Sequence, residues 1–132
     1  VGLTREIENL PKGLDTALTH GGRRLTHDTA IKLLFAQAIA GSPRLLVVED
    51  LFQNLQGDDR QRLIALLADR TRPTTVIAVS HDPALLETMD RVIVLEDGSI
   101  RAEAPFSELM TDPYVRRLIE TDARSALSRG GN

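Results

Sequence analysis

Cysteine is absent from the 132 residues, which rules out disulfide staples and thiolate metal sites and is compatible with a reducing cytosol. Also missing is any stretch of about 18 apolar residues, or a basic start followed by an apolar run. The segment therefore neither spans a membrane nor directs secretion, and any membrane link must come from other sequence or from a partner. An excess of positive charge is lacking too. Sixteen Lys and Arg stand against 19 Asp and Glu, for a net charge of −3 and a pI near 5.6. A nucleic-acid surface would need a strongly basic face to displace counterions, so DNA and RNA binding are disfavoured. There is no internal repeat, and the length suits a single core that buries about two-thirds of the unfolded surface.

What is present centres on Leu45-Leu46-Val47-Val48-Glu49-Asp50, four apolar residues that deliver two adjacent carboxylates to the end of a strand. The strand, over about 44–49, is apolar without alternation, the pattern of a parallel strand covered on both faces. Ahead of it, Leu3, Ile7 and Leu10 fall at helical spacing until Pro11 and Gly13 interrupt them. A beginning inside or near a helix suggests a domain cut from a longer polypeptide. Gly21-Gly22-Arg23-Arg24 reads as a loop, after which Thr26 or Asp28 can cap a helix with Ile31, Leu34, Phe35, Ala38 and Ile39 on its buried side. Gly41-Ser42-Pro43 ends it.

After the first strand, Leu63, Leu66 and Leu67 mark a helix over about 58–69. A second buried strand is expected over 74–80, a short helix opened by Asp82 and Pro83 over 83–89, and a third strand over 91–95. Strand, helix, strand, helix, strand is the rhythm of a parallel α/β sheet. Asp97-Gly98 supplies the positive φ angles of a tight hairpin, so residues 99–102 should return antiparallel. Short helices are expected near 106–110 and 113–121, followed by a loose tail from Ser125 to Asn132.

Each candidate group has a bland reading beside the chemical one. Thr26-His27-Asp28-Thr29 is explained by helix capping alone. Glu49 and Asp50 could be two solvated carboxylates at a strand end, and His81, after Val76-Ile77-Ala78-Val79-Ser80, a polar exit from the sheet. His20, His27 and His81 are too scattered to suggest a metal site.

The order of these segments, from about Leu3 to Glu120, resembles the second half of the ATP-binding domain of an ABC transporter. Leu10-Pro11-Lys12-Gly13-Leu14-Asp15-Thr16 is similar to the exporter pattern L-P-x-G-x-D-T, which favours exporters over importers. The resemblance implies a partial P-loop NTPase fold, three layers with a mostly parallel sheet flanked by helices, lacking the P-loop half. Residues 1–25 would end a helical subdomain and lead into the signature loop, 26–124 would form the core, and 125–132 a flexible tail.

Residue by residue, the signature L-S-G-G-Q falls on Leu25 to Thr29. This makes Thr26, His27, Asp28 and Thr29 the contacts to the γ-phosphate of ATP held by an opposite subunit, through a helix N-terminus. Both signature glycines and the glutamine are replaced, and ionised Asp28 would repel phosphate. His20 stands where exporters often place a glutamate that touches the membrane domain. The family's Walker B order, Asp then Glu, is reversed here. Glu49 takes the magnesium role and Asp50 the role of the base that polarises the attacking water, each one methylene away from the usual length. The D-loop corresponds to Gln53-Asn54-Leu55-Gln56, with Asn54 and Gln56 at nucleotide-contacting positions, and His81 matches the switch histidine.

No G-x-x-x-x-G-K-[ST] occurs, so the backbone cradle and lysine that hold the β- and γ-phosphates are missing. The segment alone is expected to bind no ATP and to be inactive. The implied parent is an exporter at the cytoplasmic face of the cell membrane that uses ATP and Mg²⁺ and hydrolyses slowly or not at all. Its implied partners are a membrane-spanning domain and a second ATP-binding domain. Two alternatives are a catalytically dead half of a heterodimeric transporter and a stand-alone interaction module that kept only the fold.

Overall fold

A computed structural model describes residues 1–18, 25–49, 55 and 57–129. The chain divides into two compact units, Val1–Ile77 and Ala78–Asn132.

In the first unit, α1 (Thr4–Glu8) ends before Pro11 and Gly13, as their interruption of the pattern predicts, and a 3₁₀ turn follows at Gly13–Asp15. The second helix, α2 (His27–Ala40), stops at Gly41, with Ser42 in the left-handed region at φ 47°. Strand β1 (Leu45–Glu49) leads to α3 (Gly57–Leu67) and β2 (Thr75–Val79). β1 and β2 pair as a short parallel sheet, opened by Thr75 N–H donating to the Arg44 carbonyl at 2.8 Å. Leu3, Phe35, Leu46, Leu55, Leu63, Ile64 and Leu67 are buried.

Three expectations for this unit are corrected. Leu34 is 65% exposed and Ala38 is also exposed, whereas the charged Lys32 is buried at 2% exposure beside the expected Phe35. On α3, Ile64 is buried and Leu66 only half-buried. The strands are covered on one face, not two: Val47 is 62% exposed, and Leu45, Ile77 and Val79 are exposed at alternate positions. An apolar strand without alternation marks both faces as apolar, but coverage depends on what is packed there.

Lys32 is tolerated in the interior because its charge is fully answered. Its Nζ donates to a carboxylate oxygen of Glu6 on α1, to Asp59 Oδ2 on α3 at 2.7 Å, and to the Gly2 carbonyl at 3.5 Å. Three N–H donors meet three acceptors. Burial acts most strongly on the ammonium and pushes it down, yet the hydrogen bonds to Asp59 and Glu6 outweigh it and hold Lys32 above its ordinary value. The same bond from Lys32 holds the Glu6 carboxyl below the usual glutamate range.

The second unit begins within β2 and continues through α4 (Pro83–Leu86), β3 (Val92–Glu96), β4 (Ser99–Ala104), α5 (Phe106–Leu109) and α6 (Pro113–Arg129). The Asp97-Gly98 turn has φ of 48° and 76°, and the strands it joins are antiparallel, with Val92 opposite Ala104 and Leu95 opposite Ile100. The core collects Leu86, Val94, Phe106, Leu109, Val115 and Ile119.

Where the rhythm of elements predicts one mostly parallel sheet, the described strands form two sheets of two, β1 with β2 and β3 with β4. The tight turn brings β4 against β3 at once, and such local closure costs little chain entropy. The last helix also differs, running to Arg129 where the sequence suggests an end near 121 and a loose tail from 125.

A pH dependence follows from the Lys32 cluster. Folded Glu6 titrates below its ordinary 4.5, so its contribution to stability is complete above that value and is lost as pH falls through the lower folded value. Folded Lys32 titrates above its ordinary 10.5, so its contribution is complete below that value and is lost as pH rises through the higher folded value. Urea unfolding of the full chain should show this contribution constant between about pH 5 and pH 10, and Glu6→Gln should flatten the decline on the acid side.

Candidate functional site

The first group of candidate residues lies at the N-terminus of α2. Thr26 is extended (φ −63°, ψ 156°) and serves as the N-cap, its Oγ1 accepting from Thr29 N–H at 3.2 Å. The two hydroxyls are 2.7 Å apart and share a further hydrogen bond. The Ala30 N–H closes the first helical turn on the Thr26 carbonyl at 3.0 Å. Thr26 is thus the cap, and Asp28 sits in the first turn, where a carboxylate is favoured by the helix dipole. Thr26, His27 and Asp28 are exposed, whereas Thr29 is half-buried. Thr29 backs onto an apolar pocket of about 90 Å³ that is also lined by Leu3, Ile7, Leu10, Leu25 and Leu33.

This end of α2 has two chemical capacities that oppose each other. Backbone N–H groups in a helix's first turn have no intrahelical acceptor and suit an anion. Against that, one acceptor is already supplied by Thr26, and an acidic side chain stands in the same turn. Any phosphate approaching here would meet an occupied hydroxyl and a carboxylate of its own sign.

Glu49 ends β1 with an exposed side chain. Alternation along the strand buries Leu46 and half-buries Val48, which turns Leu45, Val47 and Glu49 outward. A carboxylate here is an oxygen donor of the kind Mg²⁺ takes. Among the described residues, no three His, Cys, Asp or Glu side chains gather into a metal-holding group. Asp50, Asn54 and Gln56 lie outside the described residues, as do His20, Gln53 and the loop over 21–24. Leu55 is buried at 2% exposure, which gives it a place in the core.

His81 belongs to the second unit and is exposed at the exit of β2. The residues on either side of it are hydrogen-bonded. Ser80 Oγ accepts from Asp82 N–H at 3.1 Å, and Asp82 Oδ1 accepts from Ala84 N–H at 3.0 Å to cap α4, with Pro83 in its first turn. Ser80-His81-Asp82-Pro83 is therefore a fixed strand-to-helix turn that presents an imidazole. Thr26, His27, Asp28 and Thr29 lie together at the start of α2, Glu49 is the last residue of β1, and His81 follows β2.

Sequence reasoning missed Lys32, Glu6 and Asp59. The signal was a lysine between Ile31 and Phe35 within an apolar helical face, where a charge needs partners from elsewhere in the chain.

No family model matches the chain. Among curated proteins, it is 32% identical over 108 residues to the mating factor M secretion protein of Schizosaccharomyces pombe, covering 82% of this chain and 8% of that protein. It is 31% identical over 105 residues to the type I secretion system ATP-binding protein PrsD of Rhizobium meliloti, covering 79% of this chain and 18% of the relative. The glutathione/L-cysteine transport system ATP-binding/permease protein CydC of Haemophilus influenzae is 26% identical over 122 residues, with 91% and 21% covered. The chain belongs to the ABC transporter ATP-binding domains of exporter type. It spans about a fifth or less of the length of these relatives.

The cap itself can be tested. Thr26→Ala removes the side-chain acceptor of Thr29 N–H and should lower stability by about 1 kcal/mol. Urea unfolding of the full chain would measure it, and Thr26→Ser should restore most of the loss.

Proposed function

We propose that this chain is the C-terminal part of the ATP-binding domain of an ABC exporter, whose ATP binding drives movement of a substrate across a membrane, with weakened hydrolysis. The observation that carries this reading is the set of exporter relatives aligned along most of the chain. The motif order agrees, from the exporter-like Leu10 to Thr16 segment through Thr26, Glu49 and His81.

The residue types fit ATP and Mg²⁺ in kind. Glu49 would hold the metal, which when bound neutralises charge developing on the phosphates. Asp50 would accept hydrogen bonds from the attacking water, and His81, fixed in its turn by Ser80 and Asp82, would donate toward the γ-phosphate. Thr26 and the first-turn amides of α2 would face the nucleotide of a second ATP-binding domain, with His27, Asp28, Thr29, Asn54 and Gln56 around it. A membrane-spanning domain completes the assembly at the cytoplasmic face of the membrane. Among the described residues no helix is long and apolar enough to cross a membrane, so in this reading that part comes from elsewhere in the protein or complex.

The weakening has two sources. The reversed Glu49-Asp50 pair displaces each carboxylate by about one methylene, and a shift on the order of 1 Å can cost about a hundredfold in rate. At α2, the Thr26 hydroxyl is engaged by Thr29, and Asp28 adds negative charge. These two observations favour a second reading, in which this domain is the non-hydrolysing half of a heterodimer.

Restoring the usual order separates the two. In the full-length transporter, Glu49→Asp combined with Asp50→Glu should raise Mg-ATP turnover by about 10- to 100-fold if this site limits hydrolysis. Unchanged turnover in a complex that binds ATP would select the non-hydrolysing half. A full-length protein that binds no ATP would overturn the ABC exporter reading.

A further inference from the structure

Lys32 lies six residues beyond Thr26 on α2, about 9 Å along the axis at 1.5 Å per residue. Its ammonium joins three separate segments: Glu6 on α1, Asp59 in the first turn of α3, and the Gly2 carbonyl ahead of α1. The lysine is 2% exposed, while its two carboxylate partners are each about a third exposed. The third arm, at 3.5 Å, is the longest and weakest of the three, but the backbone that carries it is closely packed. Gly2 has φ 69°, and a Cβ added there would lie 2.9 Å from Arg62 Nη1 and 3.1 Å from Asp59 Oδ1. The backbone ahead of α1 therefore sits directly on side chains of α3.

A buried ion network is an inefficient source of stability, since well-packed apolar residues of similar volume often do as well or better. What it supplies is direction. An ammonium with its donors aimed at three acceptors fixes the rotation and axial position of α2 relative to α3, where an apolar contact would allow sliding. This bears on function because α2 begins at Thr26, and α3 follows the segment that starts at Glu49 and Asp50.

We propose that Lys32 is a positioning residue. Through Asp59 and Glu6 it sets where the Thr26 end of α2 stands relative to α3, and so how the domain meets nucleotide. The proposal rests on the ABC exporter reading above. Lys32 itself touches no nucleotide in this arrangement and acts only through the helix that carries it.

The test uses the full-length protein, with Lys32→Met to keep the stem and remove the charge, and Lys32→Arg to keep the charge. Hydrogen exchange of the first-turn amides of α2 and α3 is followed without nucleotide. Affinity for a non-hydrolysable ATP analogue with Mg²⁺ is measured in parallel. Lys32→Met should speed exchange at both helix starts by tenfold or more and weaken the analogue by about tenfold, and Lys32→Arg should recover most of both. A folded Lys32→Met protein with the parent's affinity, whether or not its exchange has changed, would overturn the positioning role. Should Lys32→Met fail to fold, Glu6→Gln and Asp59→Asn decide. Weakened affinity in either supports the role, and the parent's affinity in both overturns it. A parent protein that binds no analogue would instead overturn the exporter reading.

Discussion

The first unit depends on one buried cation. Lys32 is the one charged side chain buried among the described residues, and its charge is tolerable because α1, α3 and the backbone at Gly2 each supply an acceptor. Removing any one acceptor leaves the others to carry a cation that water cannot reach. The short helix α1 has no buried residue of its own; Glu6 ties it to Lys32 on α2, beside the buried Leu3 and the half-buried Ile7. Here an ion pair does the work that a longer apolar helix face would otherwise do.

The second unit is organised differently. Its core is apolar, and a cluster of polar contacts lies on the surface of the β3 and β4 hairpin. Arg101 donates to Glu96 Oε2 at 3.0 Å and lies 4.1 Å over the Tyr114 ring. A hydrogen bond with Tyr114, and then the one from Arg101, hold the Glu96 carboxyl below the usual range, and Glu96 in turn raises the Tyr114 hydroxyl. These groups are solvent-accessible, so they orient the start of α6 on the hairpin more than they stabilise it. On the hairpin, Ile93, Leu95 and Ile100 are exposed, Leu95 at 69%. Exposed apolar side chains thus occur on the strands of both units.

The functional reading joins a well-supported family to an altered set of donors. Relatives align along 79 to 91% of the chain, while in the proposed reading the residues at the signature and Walker B positions differ from the family pattern. At α2, Thr26, Asp28 and Thr29 make a sound helix start. One of the first-turn N–H donors is already satisfied by Thr26 and a carboxylate stands in the same turn, so the residues that stabilise the helix start oppose tight phosphate contact.

Much was legible in the residues alone. Pro11 and Gly13 mark the end of α1, Thr26 the start of α2, Asp82 and Pro83 the start of α4, and Asp97-Gly98 the hairpin, because each acts through its own φ angles or its own hydrogen bonds to nearby backbone. The order of motifs, and hence the family, is likewise a property of the linear chain. Only the tertiary structure decided which face of each strand is covered, that Leu34 points to water, and that Lys32 is buried. Those outcomes depend on partners distant in sequence: Glu6 is 26 residues and Asp59 is 27 residues from Lys32. A local pattern records that a residue is charged or apolar, but whether it is covered is settled by what the rest of the chain brings to it.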